Sequence, residues 1–208
     1  MKNITVLGLT LVFTLFMSSC DGGEKEINQE TSALVEANNL EQRSFNVDPL
    51  LSSLNWEGTI IGIYKHNGKV GLKEGQLVWK GDVIIGGSVT IDMSSMTQLD
   101  TLYKTEENKL VQHLESPDFF DVSNHPIATF EITGSDITGK TVSGNLTIRG
   151  ITNSETVNNV VFDEATGAAK GLLSFDRQKY NVAYKGSSKD MLISDVVELS
   201  ISLIPGKY

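Results

Sequence analysis

From residue 44 onward this sequence predicts an all-β domain of antiparallel strands, folded as a sandwich or a closed barrel. Three observations carry that expectation. Apolar residues recur with period two through most of the chain, the mark of strands with one buried and one wet face. Turn-forming clusters, HNGK, KEGQ, GSD, ITGK, EATG and KGSS, cut the pattern into about eight to ten short segments. There is no sustained alternation of strand and helix patterns and no internal repeat.

The chain opens with Lys2, an apolar run from Ile4 to Met17, and the small pair Ser18-Ser19 before Cys20. That order predicts a secretory signal peptide over residues 1–19, too short for a spanning helix. Cys20 is the single cysteine, and LFMSSC resembles a bacterial lipobox, in which the cysteine is acylated and becomes the mature N-terminus. On this reading the membrane is held through N-terminal acyl chains. The expected location is the bacterial cell envelope, with the domain in the periplasm or at the cell surface. Residues 20–43 then form an acidic, polar linker poor in large apolar groups, with a marginal helical stretch near Ser32 to Leu40.

The domain proper spans 44–208, about 165 residues, enough for a full core or a small internal cavity. Loss of Lys2 with the leader takes the formal charge from −9 to −10. Such a balance argues against nucleic acid as a partner and against direct adhesion to anionic headgroups.

Weak strands are expected at 44–48, 54–65 and 76–80. The segment DVIIGGSVTIDM places Val83, Ile85, Val89, Ile91 and Met93 on one face, with Ser88, Thr90 and Asp92 opposite. A helix is expected within 97–116, where Leu99, Leu102, Tyr103, Leu110 and Leu114 fall at spacings near three and four. Glu106 and Glu107 suit its first turn, and Ser116-Pro117 ends it. The stretch HLESPDFFDVSNHPIATFEI, residues 113–132, then runs from helix through a loop into a strand at 127–134. TVSGNLTIR sets Val142, Leu146 and Ile148 against Thr141, Ser143, Asn145, Thr147 and Arg149. Further strands are expected at 157–164, 169–176 and 180–185. VVELSISLI closes the chain, with Val197, Leu199, Ile201 and Leu203 on one face.

The chemistry-bearing residues form no familiar constellation. No G-x-S-x-G context or triad arrangement surrounds a serine. His66, His113 and His125 lack metal-ligand spacing, and no metal or cofactor is expected. No glycine pattern follows a strand and opens a helix, which leaves nucleotide binding unsupported.

Several of these segments resemble the YceI-like domain family in order. HLESPDFFDVSNHPIATFEI resembles its helix, Ser-x-Asp-Phe-Phe loop and aromatic strand. NWEGTIIGIYKHNGKV, GGSVTIDMSSM, VSGNLTIRGIT, FDRQKYNVAY and LISDVVELSISLI match other family segments across residues 44–206. Two departures stand out: Thr152-Asn153-Ser154 lacks a frequent Thr-Lys pair, and Tyr64-Lys65 stands where small residues are common. The resemblance implies an eight-stranded antiparallel lipocalin-like barrel with a short helix-and-loop cap, holding a long isoprenoid such as a quinone or polyprenyl lipid. A barrel of that size admits packed side chains or one slender ligand.

The expected inward, ligand-lining residues are Trp56, Ile85, Val89, Ile91, Phe119, Phe120, Phe130, Leu146, Ile148, Phe175, Leu199 and Ile201. His66, His113 and Arg177 are the rim or headgroup candidates, Arg177 being favoured for a structural pair with Asp176 or Asp195. The expected role is lipid binding without catalysis. The alternatives are a filled-barrel scaffold and an isoprenoid-acting enzyme using His66 or His113 as acid–base. The outer faces would allow a homodimer.

Overall fold

A computed structural model describes residues 41–61, 63–100, 107–136, 138–184 and 192–206, with backbone alone at 107 and 108. The leader, Cys20 and almost all of the expected linker lie outside the described residues, as do Leu102, Tyr103 and the KGSS turn.

Nine strands form one antiparallel sheet: β1 (Gln42–Asn46), β2 (Ser53–Ile60), β3 (Tyr64–Lys80), β4 (Val83–Gln98), β5 (Ile127–Ser135), β6 (Val142–Ile148), β7 (Ile151–Asp163), β8 (Ala168–Asp176) and β9 (Ile193–Leu203). The order is β1-β3-β2-β9-β8-β7-β6-β5-β4, and pairing of β3 with β4 closes a ring of eight. β1 stands apart from that ring. It pairs with the far half of β3, Asn46 opposite Gln76, while β2 pairs with the near half, Leu54 opposite Val70. β1 and β2 therefore lie end to end along one edge of β3. Closure removes the exposed strand edges that an open sheet would present.

The alternation read from the sequence holds where both faces are simple. Val142, Gly144, Leu146 and Ile148 of β6 are buried, with half-buried Ser143, Asn145 and Thr147 between them. The β6–β7 hairpin turns through Arg149 and Gly150, φ 52° and 73°, so that Ile148 opposes Ile151. Two positive φ angles in a two-residue loop match the strand twist. The Thr152-Asn153-Ser154 segment consequently sits inside β7 and not in a turn.

Three expectations need correction. HNGK and KEGQ are not turns but lie within the single long strand β3. A Cβ on Gly68 would stand 1.8 Å from the Thr97 carbonyl oxygen and 2.4 Å from the Trp56 ring, so glycine here serves close packing, not chain reversal. The KEGQ segment, residues 73–76, begins at a register shift between Leu72 and Glu74. Ile85 does not face inward; it is 39% exposed while Ile84 is buried. Val78 pairs with Gly86 and Trp79 with Ile84, so Ile85 is the extra residue of a bulge. A bulge reverses the inside–outside parity of all that precedes it. Residues 180–185 form no strand over their described part: Arg177–Tyr180 is a 3₁₀ turn capped by the Asp176 side chain and ended by Asn181 at φ 56°.

The helix α1 spans Glu107–Glu115, ending before Ser116-Pro117 as expected, and packs against β4. Residues 101–106, where its start was expected, are outside the described residues. Leu99 is exposed beyond the end of β4.

The two barrel ends differ. The 80–83, 135–142 and 163–168 connections lie at one end, closed by buried Phe45 and Trp79 with half-buried Phe162. Ring centroids are 5.2 Å apart for Phe45–Trp79 and 5.5 Å for Trp79–Phe162, both edge-on. At the other end stand α1, the loop after it and the 3₁₀ turn.

Candidate functional site

Between the helix-and-loop cap and the middle of the barrel lies an apolar cavity of about 720 Å³. Its walls come from opposite sides of the ring: Trp56 of β2, Val70 of β3, Met93 and Met96 of β4, Ile148 of β6 and Phe175 of β8. Ile91, Leu146 and Leu199 line both this cavity and a smaller one of about 70 Å³ beneath it. They form a constriction halfway down the barrel.

The cap is held by hydrogen bonds that follow from its sequence. After Ser116-Pro117 the chain folds back on the helix terminus: Phe120 N–H donates to the Leu114 carbonyl at 2.9 Å and Val122 N–H to that of Glu115 at 2.9 Å. Satisfying terminal carbonyls this way stabilises a short helix. Buried Asp121, at φ 50°, accepts from the Asn124 amide at 3.0 Å, and Arg149 and His125 each stand 4.0 Å away. Arg149 also donates to the carbonyls of Phe119 and Asn181, tying the loop to the barrel rim.

This arrangement brings Phe119 and Phe120 together over the cavity, which both line, with ring centroids 6.1 Å apart. Phe119 is buried and Phe120 half-buried. His113 stacks near Phe119 at 5.2 Å and meets Tyr184 edge-on at 4.8 Å. Asp118 points to solvent as an exposed loop residue. Arg177 is 1% exposed, lies 5.8 Å over the Phe119 ring and lines the cavity. Its guanidinium donates to the carbonyls of Ser194 (3.0 Å), Val182 (2.8 Å) and Ile193 (3.1 Å), and meets Asp195 at 3.3 Å. Of the two acids expected as partners it pairs with Asp195, since Asp176 caps the 3₁₀ turn. Tyr180, the fully buried last residue of this turn, has its phenol pushed up by burial and then by Glu155, to which it donates at 3.1 Å.

On the β3–β4 side a polar cluster reaches the cavity. Asp100 accepts from His66 Nδ1 at 3.1 Å, the Asn67 N–H at 3.2 Å and the Gln98 amide at 2.9 Å. Burial would raise the Asp100 carboxyl, but the bonds from Gln98, His66 and Asn67 outweigh it and hold it below the usual range.

Of the residues expected to line a ligand site, Trp56, Ile91, Phe119, Phe120, Leu146, Ile148, Phe175 and Leu199 lie on the upper cavity, as do His66, His113 and Arg177. Val89, Phe130 and Ile201 lie on the smaller lower one. Ile85 lies on neither, for the bulge described above. Tyr64, Met93, Met96, Gln98, Lys109 and Tyr184 also line the upper cavity but were not expected to. Met93 continues the alternation of β4 and was the most readable of these; Met96 lies three residues further on, past a register shift, and Gln98 and Lys109 carry no periodic signal. Among the described residues no three or more His, Cys, Asp or Glu side chains converge in a metal-binding group.

Comparison with known proteins gives a consistent result. The pattern defining the YceI-like domain matches residues 45–204. A segment of 44 residues is 46% identical to the UPF0312 protein of Azotobacter vinelandii, covering 20% of this chain and 23% of that one, so the match spans under a quarter of that relative. Among solved structures, Burkholderia cenocepacia BcnA is similar with a TM-score of 0.53 at 20% identity, over 77% of this chain and 99% of BcnA. A polyisoprenoid binding domain from Saccharophagus degradans, implicated in plant cell wall breakdown, is similar with a TM-score of 0.50 at 12% identity, over 81% and 100% of the two chains. At these identities the likeness is one of fold.

Proposed function

The chain belongs to the YceI-like domain family, and from that premise we propose that it sequesters or carries a long-chain isoprenoid, a quinone or polyprenyl lipid, in the upper cavity. The observation that carries this reading is the cavity itself: about 720 Å³, walled by aliphatic and aromatic side chains inside a closed ring of strands. That volume falls within the roughly 300–1,000 Å³ of ordinary ligand sites, and a filled scaffold barrel has no use for it. Its similarity in fold to a polyisoprenoid binding domain supports the same class of ligand. Each buried methylene of such a chain contributes about 0.8 kcal/mol before ordering costs, so a long tail binds without many polar contacts.

In this proposal Trp56, Ile91, Leu146, Ile148, Phe175 and Leu199 hold the chain, while Phe119 and Phe120 close over it. Cys20 anchors the protein to an envelope membrane through acyl chains, and residues 21–43 let the barrel reach the lipid surface. The protein acts by stoichiometric binding and not by turnover.

The test is purification of residues 21–208 without detergent, followed by native mass spectrometry and lipid extraction. The expected result is one isoprenoid per chain, or one taken up when quinones or polyprenols are added. A clean protein mass with no uptake would remove the carrier role.

A further inference from the structure

We infer that the barrel measures the chain it holds: the upper cavity takes a tail of about four or five isoprene units, and Leu146, with Ile91 and Leu199, is the floor that stops it. The inference rests on the lipid-binding proposal and adds to it the length of the ligand.

A chain enters from the capped end, because Phe45, Trp79 and Phe162 close the other. Ile91 of β4, Leu146 of β6 and Leu199 of β9 are buried and border both the upper and the lower cavity. No two of these strands are neighbours in the ring, so the three side chains narrow it from separate sides.

Below that level the interior is filled through two glycines. Gly144 and Gly171 hold inward positions of β6 and β8, each two residues before an inward leucine, Leu146 or Leu173. A Cβ on Gly144 would stand 2.5 Å from the Phe130 ring, and one on Gly171 would stand 2.5 Å from Val157 Cγ1. Each glycine thus gives up its room to a neighbour's side chain. Phe130 and Val157 line the lower cavity and not the upper one, and the space left there is about 70 Å³. Ile84, on the lower cavity wall, pairs with Trp79 of the plug.

The volumes set the length. A CH₂ group is close in size to a water molecule, whose share of the liquid is about 30 Å³. On that scale the upper cavity, about 720 Å³, holds roughly two dozen carbons, the size of four or five isoprene units. The lower cavity would add only about two carbons. A longer chain leaves its excess units in water, where their apolar surface opposes binding.

The test equilibrates residues 21–208 with phosphatidylcholine vesicles carrying one all-trans prenol at a time: farnesol, geranylgeraniol, geranylfarnesol, hexaprenol or solanesol. The protein is separated from the vesicles and its bound prenol counted by native mass spectrometry. Every prenol starts in the same bilayer, so added units carry no penalty until they must lie in water. Occupancy should hold through geranylgeraniol or geranylfarnesol and fall about tenfold or more by solanesol. In Leu146→Ala, which joins the two cavities, the limit should move up by about one unit. Ile148→Phe, which adds bulk above the floor, should lower occupancy by the longest prenol the unaltered chain accepts while farnesol still binds. Solanesol held as well as geranylgeraniol by the unaltered chain would overturn the inference and leave the lipid-binding proposal standing. An unmoved limit in folded Leu146→Ala would also overturn it. Failure to take up any of the five would remove both.

Discussion

The two ends of the barrel are built from the same alternating strands but resolve their interiors in opposite ways. At the end held by Phe45, Trp79 and Phe162 the rings meet edge-on and fill the space. Gly167, at φ 74°, lets Phe45 pack where a Cβ would stand 2.9 Å from its ring. At the other end Phe119 and Phe120 come from a loop, not from the strands, and cover a cavity of about 720 Å³ instead of filling it. His66, Gln98 and Arg177 set polar groups into the lining of an otherwise apolar volume, with Asp100 behind His66 and Gln98. Stability therefore concentrates at the plugged end, and binding capacity at the capped end.

The sharpest way to break this contrast is to remove the plug. Trp79→Ala should cost about 3–5 kcal/mol of unfolding free energy, as for other buried large-to-small changes. Urea denaturation measures the loss, and lipid uptake below the transition should be retained. An equal loss of both would erase the division between the ends. Arg177→Met should be next in size, lowering stability by about 3 kcal/mol, because it strips donors from three rim carbonyls and leaves them poorly paired. Here uptake should weaken as well, since the same rim frames the cavity.

The smallest effect is a pH dependence. The Asp100 carboxyl is held below its ordinary value of 3.8 in the folded chain. A depressed folded value means that its contribution to stability is complete above the unfolded value and is lost as pH falls through the lower folded one. Unfolding free energy measured from pH 6 to pH 2 should therefore fall off at the acid end. The part of that fall due to this group should vanish in Asp100→Asn.

Much of this barrel is readable in the sequence because period two survives wherever a strand has one wet face. Val142, Leu146 and Ile148 show it, as do Leu199 and Leu203. It fails where glycine has two jobs. Gly68 sits in HNGK, a turn signal by composition, yet it lies mid-strand to receive Trp56. Ile85 illustrates the other failure: a bulge at Ile85 reverses parity, and no composition cue separates a bulge from a plain strand. The segment 180–185 looked like a strand through Tyr180 and Val182, whose burial instead serves the 3₁₀ turn and its Arg177. At the site, apolar lining follows from alternation, whereas His66 and Asp100 are 34 positions apart and meet only because β3 and β4 pair. Gln98 is a single polar residue at a strand end, bound through its amide to Asp100, and no periodic signal marks it.

The central claim is that the capped end, and not the plugged end, holds the ligand. The chain has two tryptophans, one at each place: Trp56 on the cavity wall and Trp79 in the plug. Fluorescence of Trp79→Phe and Trp56→Phe, each titrated with a dibrominated geranylgeraniol as a short-range quencher, distinguishes them directly. Saturable quenching is expected when Trp56 is the remaining tryptophan, with little change when Trp79 is. Comparable quenching of both, or of Trp79 alone, would contradict the account.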